Sequence, residues 1–213
     1  MNQVIFLYGL PASGKLTMAT RLVAEDAKNG VYHTKLADNH YFHDFVRPFI
    51  GSHGGVDEYW NSVGLIQKEF MKILGNFYPK DKPVRYIFTG VIVSDSDSFL
   101  IDSLQNLAIK IGGEFIPIGL VPKLDVMKSR CSAESRKERG KLHSAEKYTT
   151  IFGTDNNRKP LEFSHPNQLL INNSNMTEDE TFQTIRQHLA SKQDLNALEQ
   201  SQARLSRPTG ERQ

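Results

Sequence analysis

The run Gly9-Leu10-Pro11-Ala12-Ser13-Gly14-Lys15 constrains this chain more than any other feature. It is a G-x-x-x-x-G-K pattern, and both of its flanks matter. Before it, Gln3 to Tyr8 reads as a buried strand. After it, Lys15 to about Lys28 reads as a helix with Ala19, Leu22 and Val23 on one face. A strand, a glycine loop and a helix in that order form a phosphate-binding turn. The glycines let the backbone curl so that successive N–H groups point inward, and with the helix N-terminus these cradle phosphate oxygens. Lys15 is expected to reach the outer phosphates as a mobile point charge. The expected phosphate contacts are therefore Gly9, Pro11, Ala12, Ser13, Gly14, Lys15, Leu16 and Thr17.

One position departs from the pattern. After Lys15 the usual residue is Ser or Thr, whose hydroxyl meets Mg²⁺, and here it is Leu16. Thr17 follows, but a helix turns about 100° per residue, so it cannot fill the same place by a simple shift. The expectation is that Thr17 meets the α or β phosphate. Mg²⁺ is then held more through water and other side chains, which suits its reluctance to dehydrate.

The 213 residues allow one domain of ordinary size with room for an inserted lid. The chain carries 26 basic and 24 acidic side chains, a formal net charge of +2, which makes no electrostatic case for long nucleic acid or a membrane surface. Cys131 is the only cysteine, so no internal disulfide forms and a reducing, cytoplasmic setting is expected. The N-terminus lacks the pattern of a secretory signal, and no apolar run of about eighteen residues suggests a transmembrane helix.

Further strands are expected at Val31 to Leu36, Val84 to Val93, Glu114 to Val121 and Gln168 to Ile171. Helices are expected over Tyr41 to Ile50, Val56 to Gly75, Asp97 or Ser98 to Ile111, Lys123 to Glu138 and Thr177 to Ala190. Thr177 with Glu180 fits a capping box. Five strands alternating with helices imply an α/β three-layer sandwich with a parallel sheet. Ligands in such sheets bind beyond the C-terminal strand ends. Residues 191–213 are a polar tail, its first part able to continue the last helix.

With the loop, the strand succession and a basic segment before the last strand in place, the chain resembles the P-loop kinases of the nucleoside-monophosphate kinase and shikimate kinase group. The similarity spans about residues 3–190, and GLPASGK is its most specific motif. The resemblance implies a sheet order of 2-3-1-4-5, ATP with Mg²⁺ as cofactor, an acceptor region near 38–80 and a lid near 125–150. It also implies that lid arginines close on ATP. Arg130, Arg136 and Arg139 are the candidates, with Lys141 beside them; Arg136 and Arg139 are three apart and share a helix face. A solvated basic helix is the plain alternative.

Asp38 follows the second strand, where an acceptor-binding acid stands in the shikimate kinase-like members. It is a candidate general base for a hydroxyl acceptor; it can equally be a helix N-cap. His40 and Arg47 are candidate acceptor contacts, Arg47 for a phosphate or carboxylate. Thr89 occupies the place at the end of the third strand where many relatives carry an acid that orients Mg²⁺, and Gly90 would let a ligand approach. His40 and His43 have an H-x-x-H spacing without a third ligand, so no metal site is assigned. Asn173, after the fifth strand, would lie near the adenine base, or simply shape a turn.

Two functions fit these residues. One is an ATP-dependent kinase acting on a nucleotide or hydroxyl compound. The other is a nucleotide-binding regulatory or interaction protein with weak or no kinase activity, motivated by Leu16 and Thr89.

Overall fold

The computed structural model describes residues 1–51, 57–93, 97–132, 141–152 and 163–205, with side chains up to residue 192. The strands are β1 (Asn2–Tyr8), β2 (His33–Ala37), β3 (Val84–Gly90), β4 (Gly113–Leu120) and β5 (Leu169–Ile171). They form one parallel sheet in the order β2-β3-β1-β4-β5. Around it run α1 (Lys15–Asn29), α2 (Asn39–Ile50), α3 (Asp57–Asn76), α4 (Ser98–Lys110), α5 (Leu124–Cys131), α6 (Ala145–Phe152) and α7 (Glu178–Leu205).

The central strand explains the layering. Every residue of β1 from Gln3 to Tyr8 is buried, so its side chains must be covered on both faces. Val4, Phe6 and Tyr8 point to one face, where Leu100, Leu104, Leu107 and Met71 of α4 and α3 meet them. Ile5 and Leu7 point to the other, against Met18, Ala19 and Leu22 of α1 and Phe182, Ile185 and Leu189 of α7. The result is the three-layer α/β sandwich with the expected strand order.

Two differences from the sequence reading have physical causes. β3 stops at Gly90, although the β-branched run continues through Val93. Val91 and Val93 instead pack beneath the loops with Leu10 and Met127. Helix α6 was not expected; Tyr148 anchors it, fully buried against Met127 and Cys131. The last helix runs past Ala190 to Leu205, the continuation into the tail that the sequence reading allowed. Its start is the expected capping box: Glu180 N–H donates to Thr177 Oγ1 at 3.1 Å and Thr177 N–H donates to Glu180 Oε2 at 2.8 Å.

At the N-terminal side of the sheet, β3 brings a charge into the core. Arg85 Nη1 donates to Asp26 Oδ1 at 2.6 Å and Arg85 Nε donates to Gln3 Oε1 at 2.8 Å. Thr34 Oγ1 donates to the other oxygen of Asp26 at 2.6 Å, and the guanidinium lies 3.9 Å from the centre of the Tyr32 ring. This pair ties α1 to β3, and nothing local in the sequence marks it.

Candidate active site

The glycine loop joins β1 to α1 at the C-terminal edge of the sheet. Gly9 has φ +144°, and a Cβ there would lie 2.3 Å from the carbonyl oxygen of Leu120 at the end of β4. A side chain is therefore excluded by backbone as well as by conformation. Gly14 turns the chain into α1 with φ +100°, and Ala12 holds φ +66° without being glycine. A left-handed alanine costs about 1–2 kcal/mol. The surroundings hold it there: Ala12 packs with Leu10, Met127, Cys131 and Tyr148, and Tyr148 Oη donates to Pro11 O at 3.1 Å.

α1 begins with no side-chain cap on its N-terminus and no acidic residue in its first turn. Its first N–H groups keep their partial positive charge for an anion. Lys15 folds back over the loop and donates to Gly9 O at 2.7 Å, Leu10 O at 2.8 Å and Ser13 Oγ at 3.3 Å. This places an ammonium group at the mouth of the curl. Asn173 braces the loop from beneath, since its Nδ2 donates to Ser13 O at 3.2 Å. Arg130 in turn donates to the Asn173 carbonyl at 3.0 Å, which sets it at the loop's flank.

A cleft of about 180 Å³ opens above the loop, lined by Pro11, Ala12, Gly14, Lys15, Leu16 and Thr17 on one side. Asp38, Asn39, His40, Thr89, Gly90, Val91 and Lys141 line the other. The parallel register explains the second group. Ala37 stands opposite Phe88, so the residues that leave β2 and β3 next, Asp38 and Thr89, are neighbours.

Asp38 stands at the N-cap position of α2 but makes no side-chain cap. The residue is 6 % exposed, and its carboxylate is bound elsewhere. Thr89 Oγ1 donates to Asp38 Oδ1 at 2.6 Å and accepts from Asn39 N–H at 3.1 Å. The hydroxyl thus does the capping, and Asp38 faces the cleft. Lys141 Nζ lies 3.4 Å from Asp38 Oδ2. Burial pushes the Asp38 carboxyl up, but Thr89, Lys141 and His40 more than offset it and hold it below the ordinary carboxylate value. His40 is kept below the usual imidazole value by burial and by Lys141. At neutral pH the cleft therefore holds an ionised acid beside a neutral imidazole.

His40 and His43 part company. His43 is buried, and its Nδ1 lies 2.8 Å from Tyr59 Oη and its Nε2 3.0 Å from Asn39 Nδ2. Gln67 Nε2 donates to Asn39 Oδ1 at 2.6 Å. This network locks α2 onto α3 and fixes Asn39 beside the acid. Arg47 is not among the residues lining the cleft; it pairs with Asp44 one turn away at 3.3 Å. Gly90 does line the cleft, but its missing side chain is needed by the core, since a Cβ would stand 2.7 Å from the Phe6 ring. Arg136 and Arg139 lie outside the described residues.

Mg²⁺ finds few direct ligands. Leu16 supplies hydrocarbon where a hydroxyl is usual, and the Thr89 hydroxyl is committed to Asp38. Among the described residues no group of three or more His, Cys, Asp or Glu side chains could hold a metal. The loop fits a polyphosphate; a metal there would rest on phosphate oxygens and water, with Asp38 the carboxylate at hand. A larger depression of about 630 Å³ lies at the start of β4, near Asp102, Glu114 and His165, and shares no residue with the loop.

Solved structures share this fold. An APS kinase from Mycobacterium tuberculosis, solved with AMPPNP and APS, superposes with a TM-score of 0.60 over 89% of this chain and 98% of its own, at 12% identity. A sugar kinase from Janibacter sp. HTCC2649, solved unliganded, gives a TM-score of 0.54 over 89% and 95%, at 17% identity. The fold is that of the P-loop kinases. No family model matches the chain, and no curated protein matches it. Among the described residues no helix is long and apolar enough to cross a membrane.

The sequence did not indicate the Thr89 hydroxyl bond, the Lys141–Asp38 pair or the Tyr148 anchor. Each joins residues 51 to 137 positions apart; the strand register brings the first together, and the packing around Tyr148 and Leu142 the other two.

Proposed function

We propose that this protein is an ATP-dependent phosphotransferase acting on a small-molecule acceptor with a hydroxyl or phosphate group. The observation that carries the reading is the opposition, in one cleft, of a phosphate loop with Lys15 and an ionised acid, Asp38. Kinase structures of the same fold support it.

ATP supplies the transferable γ-phosphoryl group when bound. The loop amides and the α1 N-terminus hold the phosphates, and Lys15 leaves the loop carbonyls to neutralise developing charge. Arg130, and the arginines Arg136 and Arg139, add further positive charge. For a hydroxyl acceptor, Asp38 orients the O–H and receives its proton as the oxygen bonds to the γ phosphorus. The bond from that phosphorus to the bridging oxygen breaks, and ADP leaves. Thr89 fixes the carboxylate on one oxygen, and Asn39 and His40 border the acceptor position. Asn173 serves through the loop that it braces.

A second reading has its own observation. Leu16 and the committed Thr89 leave little direct support for Mg²⁺, as suits a nucleotide-binding regulatory protein with weak or no turnover.

The test is ADP release from MgATP across a panel of nucleoside monophosphates, nucleosides, hydroxy acids, sugars and an aminoglycoside, with Lys15→Ala alongside. The expected result is release that depends on one acceptor class and falls by two to three orders of magnitude in the mutant, about 2.7–4 kcal/mol of transition-state stabilisation. Nucleotide binding without any acceptor dependence favours the regulatory reading. Equal turnover by Lys15→Ala would sink the kinase assignment.

A further inference from the structure

We propose that Tyr148 and Asn173 are positioning residues for phosphate: each holds one carbonyl of the glycine loop and so aims one N–H group, of Ala12 and of Gly14 respectively, into the cleft. The inference rests on the phosphate-loop reading above and deepens it, by naming two of the amides that bind and what sets their direction.

The loop does not present its N–H groups alike. Pro11 has none. Ser13 N–H turns back to Leu10 O at 3.3 Å, and the residue is fully buried. Ala12 and Gly14, on either side of Ser13, line the cleft. Among the described residues neither of their N–H groups has a hydrogen-bond partner. A backbone donor in so enclosed a loop calls for a ligand or water to take it.

Peptide planarity fixes where these two groups point. In a trans peptide the C=O and the N–H of one unit point in opposite directions, and among the described residues no peptide is cis. The unit joining Pro11 to Ala12 has its carbonyl on Tyr148 Oη at 3.1 Å, so the Ala12 N–H points away from α6, toward the cleft. The unit joining Ser13 to Gly14 has its carbonyl on Asn173 Nδ2 at 3.2 Å, so the Gly14 N–H points away from the loop after β5, toward the same cleft. Two anchors from separate parts of the fold thus set two alternate amides.

Both anchors are rigid. Tyr148 is fully buried among Leu10, Met127 and Cys131, which fixes its ring, and Asn173 is 4 % exposed. The Tyr148 hydroxyl has one proton and two acceptors within reach, Pro11 O at 3.1 Å and Met127 Sδ at 3.2 Å. A thioether is the weaker acceptor, so the carbonyl takes the proton. Ala12 holds φ +66°, a conformation that a non-glycine residue keeps only where its surroundings impose it. Without the hydroxyl, the unit between Pro11 and Ala12 is free to rotate and carry its N–H out of the cleft. Gly14 hangs on the other anchor and stays.

An amide-resolved NMR titration of inorganic triphosphate into wild type, Tyr148→Phe, Asn173→Leu and Met127→Leu tests this without knowledge of the acceptor. Wild type is expected to show saturable shifts at both Ala12 and Gly14. Tyr148→Phe is expected to lose most of the Ala12 response, keep that of Gly14, and bind about three- to tenfold more weakly, the range of one ordinary hydrogen bond. Asn173→Leu is expected to do the reverse, losing the Gly14 response and keeping that of Ala12. Met127→Leu removes only the second acceptor of the hydroxyl and is expected to leave both responses in place. A merely structural brace would loosen the whole loop, so loss of both responses together in either anchor variant overturns the assignment. So does a Tyr148→Phe protein whose Ala12 response and affinity match wild type. If Tyr148→Phe does not fold, Asn173→Leu decides: loss at Gly14 alone upholds the assignment, and loss at both or at neither overturns it. Wild type with no response to triphosphate at any loop amide overturns the phosphate-loop reading itself, and this proposal with it.

Discussion

Replacing Thr89 by Val keeps the shape and removes one hydroxyl, and the hydroxyl has two partners. It donates to the buried Asp38 carboxylate at 2.6 Å and accepts from Asn39 N–H at 3.1 Å. A hydrogen bond to a charged group contributes about 1.5–3 kcal/mol, and a donor left without a partner costs about 1–3 kcal/mol. Asp38 retains Lys141, and Asn39 N–H sits at a helix start where water has some access, so the two losses do not add in full. The net expectation is about 2–4 kcal/mol of lost stability. For a chain of this size that is a fall in Tm of about 5–15 °C. Thr89→Ser keeps the hydroxyl and gives up one buried methyl, about 1 kcal/mol. Urea unfolding of the three proteins, followed by circular dichroism, measures the differences. A Thr89→Val protein within about 0.5 kcal/mol of wild type would refute the reasoning, because it would mean the hydroxyl neither caps α2 nor holds the acid.

Three other outcomes follow from the same geometry. The folded Asp38 is held below its ordinary carboxylate value, so its stabilising contribution is complete above that value and is lost as pH falls through the lower, folded one. The acid limb of kcat/KM, where Asp38 acts as base, should accordingly lie below the ordinary carboxylate range and move up in Thr89→Val; a limb that ignores Thr89 assigns the base elsewhere. Arg85→Met leaves Asp26 buried without its ion partner and should cost about 3–5 kcal/mol, while the apolar pair Arg85→Met with Asp26→Leu should recover much of it; equal losses in both would contradict a desolvation penalty. Gly9→Ala drives a Cβ against Leu120 O and should cut ATP affinity at least about tenfold through a displaced loop, with unchanged affinity counting against the cradle.

What the sequence revealed and concealed divides by distance along the chain. The loop was legible because its glycines, its lysine and both flanks are contiguous, and each has a local reason. The central strands β1, β3 and β4 were legible because burial on both faces demands near-continuous apolar runs; the edge strands β2 and β5 are only partly buried and carry a weaker signal. Asp38 was noticed from its place after a strand, but its environment was not readable. Whether it caps α2 or faces a cleft depends on Thr89, which the register places beside it from 51 residues away. Lys141 comes from 103 residues away, and its pairing with the acid has no sequence signature. His40 and His43 are neighbours on one face of α2, with ring centroids 6.1 Å apart, yet His40 lines the cleft while His43 is buried on Tyr59 of α3, a partner that the spacing does not reveal. Gly90 lines the cleft, and a Cβ there would also stand 2.7 Å from the Phe6 ring, a packing demand that no local sequence pattern displays.

The measurement that tests the central claim most directly is an NMR titration of ATP against the backbone amides of residues 9–17, in wild type and in Lys15→Ala. The account predicts saturable shifts that are largest at Gly14 and Lys15, where the loop and the first turn of α1 present their N–H groups. It predicts that the same titration of Lys15→Ala requires far more ATP. Shifts centred instead on the depression near Asp102 and His165, or none in the loop at saturating ATP, would contradict it.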